Sequence, residues 1–560
     1  METKQKTTKR GLYMTLAEKL IHLRTAYKLS QEEIAEKLHV SRQAVSKWET
    51  GQTLPQIDTV LLICSYFDVS ADDLLRDDVI IHKGNAPVSD IKDSRDVKNK
   101  YFGTDGFRGE ANVSLTADHA FKVGRFLGWY YQSPLSGCKK LSYRPRIVIG
   151  KDTRRSSYML EYAIVAGITA SGADAYMLHV TTTPSVSYVT RMDEFDCGIM
   201  ITASHNPFYD NGIKVINKYG EKIDEATTSL VEAYIDGNLQ ALGISEDDLP
   251  LAKREKLGSI VDYVAGRNRY VGYLISLAAH SYKELRIGLD CANGASWMIA
   301  KSVFEALGSQ VYLMGAEPDG TNINRACGST HIENLSEFVK ANHLDVGFAF
   351  DGDADRCIAV DENGNIIDGD KIIYILAMRL KSRGILDHDT VVTTIMSNSG
   401  LTSALEAQGI KNEQTTVGDK YVYERMLSGG FRLGGEQSGH IILKKYATTG
   451  DGILTAIMLT EEMRDRKTTI SYLASPVTLL PQVTKNMKVT SKSAVVSDPE
   501  VQAKFEEINN EIHGRGRALL RQSGTEPVIR IMMECETGKL CESYIDKLAS
   551  VIRKRGYCCD

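Results

Sequence analysis

The hydrophobic pattern changes character once along the chain. Over 14–76 apolar positions recur at helical spacing, with Leu16, Leu20, Ile21 and Leu23 on one face and Ile34, Ala35 and Leu38 on another. Ser30-Gln-Glu-Glu33 has the capping-box pattern and predicts a helix start at Ser30. After a turn at His39-Val40, Ser41 caps a second helix through Trp48 and Glu49, which Gly51 ends and Pro55 keeps from restarting. Residues 77–98 are polar, lack periodicity and read as a linker. From Tyr101 onward short buried-strand runs alternate with helical segments: Arg146-Ile-Val-Ile149, Cys197-Gly-Ile-Met-Ile201, Leu285-Arg-Ile-Gly-Leu-Asp290, Val346-Gly-Phe-Ala-Phe350 and Thr390-Val-Val-Thr-Thr394. This texture predicts repeated α/β units with parallel or mixed sheets, then a smaller α+β unit ending in a helix around Glu542 to Lys554. In such sheets ligands collect beyond the carboxyl ends of strands.

Composition narrows the picture without redirecting it. A chain of 560 residues is too long for one core, so several domains are expected. With 42% hydrophobic and 25% charged residues it is neither disordered nor fibrous. A net charge of −5 argues against non-specific nucleic-acid binding by the whole surface but permits a local DNA-reading module. The ten cysteines form no metal-like CxxC pair and read as reduced thiols of a cytoplasmic protein. Met1 to Arg10 lacks an apolar stretch, so no secretory signal is expected, and no long apolar run predicts a membrane span.

Four polar motifs carry the chemistry. Phe350-Asp-Gly-Asp-Ala-Asp-Arg356 sets three carboxylates, Asp351, Asp353 and Asp355, on one loop directly after a buried strand. Hard oxygen donors so placed suit a divalent cation such as Mg²⁺, without which they would repel; the bland alternative is a solvated acidic turn. Thr202-Ala-Ser-His-Asn-Pro207 also follows an apolar strand. A phosphoserine at Ser204 beside a metal would be a competent phosphoryl donor, and His205 could be a base, a donor or structural; Asn-Pro is also a common turn. Gly434-Gly-Glu-Gln-Ser-Gly-His440 offers Glu436 and Ser438 to sugar hydroxyls, or is a flexible loop. Arg521-Gln-Ser-Gly-Thr-Glu-Pro527, with Arg530 beyond, forms a plausible phosphate cradle, and no Walker motif accompanies it.

Order and spacing of these four motifs resemble the α-D-phosphohexomutase superfamily, as does Phe102-Gly-Thr-Asp-Gly-Phe-Arg-Gly109. Thr448-Thr-Gly-Asp-Gly452, Cys327-Gly-Ser-Thr-His331 and Val417-Gly-Asp-Lys-Tyr421 resemble its phosphoglucosamine mutase branch. Phe107 departs from the usual Ile, and Gln522 stands where another residue is common; neither alters the chemistry. The resemblance covers roughly 100–556 and implies three similar α/β domains with mixed sheets, at 100–240, 262–366 and 367–478, plus a smaller α+β domain at 482–556. It implies an isomerase that interconverts glucosamine 6-phosphate and glucosamine 1-phosphate through phosphorylated Ser204 and a sugar 1,6-bisphosphate. One Mg²⁺ would sit on Ser204, Asp351, Asp353 and Asp355. Arg108 and Arg356 would stabilise charge, Arg356 against the substrate, and Lys214 and His440 would handle protons. Glu436 and Ser438 would select the sugar, while Arg521, Ser523, Gly524, Thr525 and Arg530 would grip the other phosphate. A phosphoglucomutase or phosphomannomutase is the nearest alternative.

The segment Ser30 to Gly51 resembles the Cro/C1-type helix-turn-helix, with Ser41 to Glu49 as recognition helix. Gln31, Arg42, Gln43, Ser46 and Lys47 are its candidate DNA contacts; Ile34, Ala35, Val45 and Trp48 are assigned to the core. A homodimer formed through the mutase part would supply the second half-site contact. A bare helical bundle for protein contacts is the alternative. So is a sugar-phosphate-sensing transcriptional regulator, which would be expected to have lost Ser204 or one of the three aspartates.

Overall fold

The computed structural model describes residues 15–26, 29–38, 40–55, 57–67, 69, 74, 100–103, 105–136, 143–245, 248–522 and 528–558. The expected linker at 77–98 lies outside them, as do Ser523, Gly524 and Thr525. The chain forms two compact units, Met1–Lys98 and Asn99–Asp560.

The first unit is helical over its described residues: Leu16–Ala26, Gln31–Lys37, Arg42–Glu49 and Ile57–Phe67. The capping box forms as the sequence predicts. Glu33 N–H donates to Ser30 Oγ at 3.1 Å and Ser30 N–H to Glu33 Oε2 at 2.7 Å. Ser41 caps the recognition helix through the Ala44 N–H. That helix ends where Gly51 takes a φ of +71°, left-handed backbone that suits glycine. Ile34, Ala35, Val45 and Trp48 are buried together with Leu20, Leu23 and Ile63. A half-concealed ion pair stiffens this small core: Arg24 reaches Glu49 through Nε at 2.5 Å and Nη2 at 3.1 Å.

The second unit contains four sheets. The first runs Phe102–Gly103, Gly106–Glu110, Asp210–Asn217, Cys197–Ile201, Arg146–Lys151, Asp174–Val180, Ile260–Asp262 in spatial order, parallel at its centre and antiparallel toward Phe102–Gly103. The second holds Val346–Phe350 between Cys357–Asp361 and Arg286–Asp290, with Ile366–Ile367 and Gln310–Met314 at its edges. The third places Thr390–Thr394 and Leu433–Gly435 parallel, flanked by Lys411–Thr415 and Ile441–Leu443. The last is antiparallel, Val528–Glu534 lying between Gln482–Lys488 and Arg517–Gln522, and the helix Gly538–Lys554 covers it. The strands read from apolar runs are buried along their whole length at Cys197–Ile201, Val346–Phe350 and Thr390–Thr394. Helices lie against sheets that cannot face water on either side, the layering such runs require. No helix among the described residues is long and apolar enough to cross a membrane.

Candidate active site

Strand Cys197–Ile201 delivers the chain to Ser204, which is buried and takes a left-handed φ of +52°. A serine held there needs outside support, and Arg154 supplies it. The guanidinium, itself fully buried, donates from Nη2 to Ser204 O and Asn206 O, each at 2.9 Å, and from Nη1 to Asp210 O at 3.0 Å and to Pro207 O. Asp152 neutralises it at 2.8 Å and also accepts from Thr202 Oγ1. From the loop that follows strand Gln310–Met314 of the second sheet, Asn324 Nδ2 donates to Ser204 O at 2.8 Å. The sequence reading overlooks Arg154, although Lys151-Asp-Thr-Arg154 leaves a buried strand at its carboxyl end just as the chosen motifs do.

Strand Val346–Phe350 delivers the three aspartates to the same point. Ser204 Oγ donates to Asp351 Oδ2 at 2.5 Å, and a Cβ on Gly352 would lie 2.5 Å from Ser204 O, so only glycine lets the two loops meet. One oxygen each from Asp351, Asp353 and Asp355 fall within 4.8 Å of one another, and all three residues are buried. Asp353 Oδ2 accepts from Thr183 Oγ1 at 2.5 Å and Lys214 Nζ at 2.9 Å, while Asp353 Oδ1 is buried with no hydrogen-bond partner. Burial, and then Asp355 and Asp353, push Asp351 well above the ordinary carboxyl range. A hard cation answers both the unpaired oxygen and this repulsion, so the donor set fits Mg²⁺.

Around the carboxylates stands a shell of cations. Lys214 Nζ contacts Asp353, Asp355 at 3.2 Å and Asp105 at 3.2 Å. Its burial opposes charge, but these three acids overcome it and hold the amine well above its usual pKa. Asp105 also pairs with Arg108 and with Lys222 at 2.9 Å; Lys222 in turn reaches Asp419 at 2.7 Å. His440 lies 3.7 Å from Asp355 Oδ1 and 3.5 Å from Asp419 Oδ2. Burial disfavours its charge, yet Asp355, Asp419 and Glu436 push the ring up to about 9. That push is opposed at Nε2, which accepts the Gly450 N–H at 3.0 Å and so keeps its lone pair. His205 behaves oppositely: burial, Arg356 and Arg108 press it down to about 4, and its Nδ1 sits 3.3 Å from Ser204 Oγ. Asp105 and Asp419 lie inside quoted motifs, but only the folded chain shows their pairing.

The third sheet adds the sugar loop. Gly439, at φ +89°, lies so close to Cys357 that a Cβ would meet its carbonyl at 2.4 Å, and Cys357 N–H donates to Gly439 O at 3.0 Å. That seam pins Glu436 and His440 beside the aspartate loop. Glu436, raised by burial, accepts from Gly418 N–H at 3.1 Å, and Ser438 is exposed. Arg356 is held charged despite burial by Asp351, Asp355 and Glu436. Arg521 and Arg530 face each other across paired strands of the last sheet, and burial and then Arg530 press Arg521 below its usual range, with Glu436 opposing.

In the helical unit Arg42, Gln43 and Lys47 are exposed and Ser46 is half-buried. Arg42 pairs with Glu32 at 3.0 Å, and Gln31 spends its amide on Glu49 at 2.7 Å.

Comparison with known proteins shows the family. Phosphoglucomutase/phosphomannomutase family models match as alpha/beta/alpha domain I at residues 99–241, domain II at 268–364, domain III at 368–479 and the C-terminal domain at 485–551. A helix-turn-helix model matches 20–74. A phosphoglucosamine mutase of Lachnospira eligens is 59% identical over 458 residues, 82% of this chain and 99% of that protein. One of Bacillus subtilis is 46% identical over 81% of this chain and 98% of its own. Among solved structures, a phosphoglucomutase/phosphomannomutase family protein of Burkholderia thailandensis superposes with a TM-score of 0.66 at 22% identity, covering 82% of this chain and 98% of its own. The Aspergillus fumigatus N-acetylphosphoglucosamine mutase, solved with GlcNAc-6P and magnesium, gives 0.60 at 17% identity, covering 82% and 97%; at such identities the likeness is one of fold.

Proposed function

The chain belongs to the phosphoglucosamine mutases of the phosphoglucomutase/phosphomannomutase family, and we propose on that premise that it interconverts glucosamine 6-phosphate and glucosamine 1-phosphate in the cytoplasm. The observation that carries the reading is Ser204 Oγ at 2.5 Å from Asp351, inside a buried meeting of loops from three sheets. Ser204 carries a phosphoryl group. Asp351, Asp353 and Asp355 together with Ser204 hold Mg²⁺, which when bound supplies Lewis-acid neutralisation of phosphoryl charge.

The remaining work belongs to the chain. A free hydroxyl of the sugar phosphate attacks the phosphorus on Ser204, its O–P bond forms as the Ser204 Oγ–P bond breaks, and a sugar bisphosphate results. The bisphosphate turns, and its other phosphoryl group returns to Ser204 Oγ. Lys214 and Arg356 are held cationic, so they donate to and neutralise phosphoryl oxygens rather than accept protons, while His440 keeps its lone pair on Nε2 for the Gly450 N–H and handles protons through Nδ1. His205, with Nδ1 3.3 Å from Ser204 Oγ, is the ring that receives the hydroxyl proton. Arg108 is steered by Asp105 and by Asn206 Oδ1 at 3.3 Å. Glu436 and Ser438 select the sugar; Arg521 and Arg530, with Ser523, Gly524 and Thr525, receive whichever phosphate is not being transferred.

A Mg²⁺-dependent assay comparing the 6-phosphates of glucosamine, glucose and mannose tests this, with Ser204→Ala as control. Preference for glucosamine phosphate and a severely impaired variant are expected. No turnover of any sugar phosphate, even with Ser204 phosphorylated, would sink the reading.

The helical unit we assign to DNA binding. The helix-turn-helix match and the exposed Arg42, Gln43 and Lys47 support it. Gln31 contributes by ordering Glu49 rather than by reading bases, and dimerisation supplies the second half-site. Fluorescence anisotropy with labelled duplex DNA checks it: binding unaffected by Lys47→Ala and Arg42→Ala overturns the assignment.

A further inference from the structure

Strands Arg517–Gln522 and Val528–Glu534 form a hairpin whose two ends do different things. Arg521 opposes Arg530 at one end, and Arg517 opposes Glu534 at the other. The first end carries the guanidiniums assigned above to the distal phosphate. The second grips a single turn of the third sheet's domain, residues Ile395 to Ser399, between strand Thr390–Thr394 and helix Ser399–Ala407.

The grip is dense. Arg517 donates from Nη1 to Ile395 O at 2.9 Å and from Nη2 to Ser397 O. Glu534, fully buried, accepts from the Ser399 N–H at 2.9 Å and from its hydroxyl, and its other oxygen accepts from Arg517 at 3.3 Å. Gln482 Nε2 donates to Met396 O at 3.0 Å. Asn398 donates to Leu480 O at 2.8 Å and accepts from Leu480 N–H at 3.0 Å. Every residue of the turn is therefore held from the C-terminal side, and a buried carboxylate with its guanidinium sits at the centre. Such a pair adds little net stability against an apolar substitute, but it fixes geometry and cannot slip.

The turn's position gives the grip a consequence. It leaves the carboxyl end of Thr390–Thr394, and the neighbouring parallel strand Leu433–Gly435 runs at its own carboxyl end into Glu436. The clasped turn and the sugar loop thus leave adjacent strands at one edge. Arg521 lies four residues along its strand from Arg517, about 13 Å at ~3.3 Å per residue. The hairpin is a lever with its fulcrum at the clasp. A tilt of roughly 10° there moves the phosphate end by about 2 Å, and misplacement of about 1 Å costs on the order of a hundredfold in reactive geometry.

We propose that Arg517, Glu534 and Ser399 form a clasp that sets the span between the sugar loop and the distal-phosphate end, which makes them positioning residues for the phosphate not being transferred. The proposal rests on the mutase reading. It predicts a split between binding and chemistry. In the full-length enzyme with Mg²⁺, Arg517→Ala raises KM for the sugar phosphate about tenfold, because the distal-phosphate end is no longer held at its span. It also raises the amount of added sugar bisphosphate needed for full activity, because the intermediate escapes more often. Hydrolysis of phosphorylated Ser204 by water needs no distal grip and stays within about twofold of wild type. Arg517→Lys, which keeps charge but not the fork, falls between; Ser399→Ala, which keeps the backbone donor, shows the smallest shift in the same direction.

A merely structural role would lower the active fraction and leave KM and the bisphosphate requirement where they were, and that outcome overturns the clasp. Should Arg517→Ala not fold, Ser399→Ala and Arg517→Lys decide: unchanged KM in both overturns it. Wild-type enzyme that turns over no sugar phosphate condemns the mutase reading instead, so the two failures are told apart.

Discussion

The active-site cleft and the recognition helix are both rich in charge, but they spend it differently. In the cleft Lys214, Asp353, Asp355 and Arg154 are buried, and each cation touches more than one acceptor. On the recognition helix Arg42 pairs with Glu32 while both side chains stay over 60% exposed, and Lys47 is exposed. A buried charge cannot fall back on water when its partner is lost; an exposed one can. The cleft is thus preorganised at a cost in desolvation, and the helix keeps its cations in water, within reach of a polyanion that arrives from outside.

The largest effect that would test this contrast is Ser204→Ala. The side chain makes one short bond to Asp351 and fills little volume, so folding should survive while turnover falls by at least ~10³-fold, as for other lost nucleophiles. Thermal unfolding together with the mutase assay separates the two. Loss of fold along with activity would mean that Ser204 matters as packing.

Arg154→Ala comes next. It removes a donor from the carbonyls of Ser204 and Asn206, which keep only Asn324, takes Nη1 from Asp210 O, and leaves Asp152 as an uncompensated buried acid. About 5 kcal/mol of stability should go, the upper range for breaking a buried pair, and activity should fall with it. A loss below about 1 kcal/mol in urea unfolding would show that water replaces the guanidinium and that burial here is less complete than the contacts indicate.

That Arg154 escapes a sequence reading says what such a reading can reach. Apolar runs locate Cys197–Ile201, Val346–Phe350 and Thr390–Thr394 to the residue, because strands buried on both faces have no alternative pattern. The capping box at Ser30 and the cap at Ser41 are equally legible, since they act within four residues. The aspartate triplet and Ser204 are legible as motifs, and the structure brings them together. Pairings set by tertiary approach are not: Lys222 with Asp105 and Asp419, Asn324 with Ser204 O, or Arg24 with Glu49 join positions too distant for any local period to connect. Gln31 is one more case, for its place in the helix-turn-helix motif suggests a DNA contact while in the folded unit its amide donates to Glu49.

A pH test isolates burial from pairing. Asp370 accepts the Asn398 N–H at 2.7 Å, but burial, and then Asp368, push it up to about 7. The folded state therefore holds this proton while the unfolded chain releases it near the ordinary carboxyl value. Stability is fully present below about pH 4 and declines as pH rises toward 7, by roughly 4 kcal/mol in all. Asp370→Asn keeps the acceptor and cannot ionise, so its urea midpoint should lack that component of the slope. Identical pH profiles for the two proteins would mean that the carboxyl is solvated.

The smallest expected stability effect is on the recognition helix, and it is the most discriminating. Lys47→Ala removes an exposed cation from a helix whose buried side is Val45 and Trp48, so unfolding should change by no more than ~0.5 kcal/mol. Glu49, two positions on, is held by Arg24 and Gln31; Glu49→Ala should cost several times more, about 3 kcal/mol, because it strands Arg24. DNA binding should rank them the other way once folding is restored by low temperature. If Lys47 neutralises one phosphate, its loss lowers the slope of log affinity against log salt by about 0.9, whereas Glu49→Ala leaves that slope alone. A salt slope that stays put in Lys47→Ala would move the DNA contact to Arg42 or Gln43. A slope lowered in Lys47→Ala and raised in Glu49→Ala would mean that the unit binds through its net charge and not through this helix.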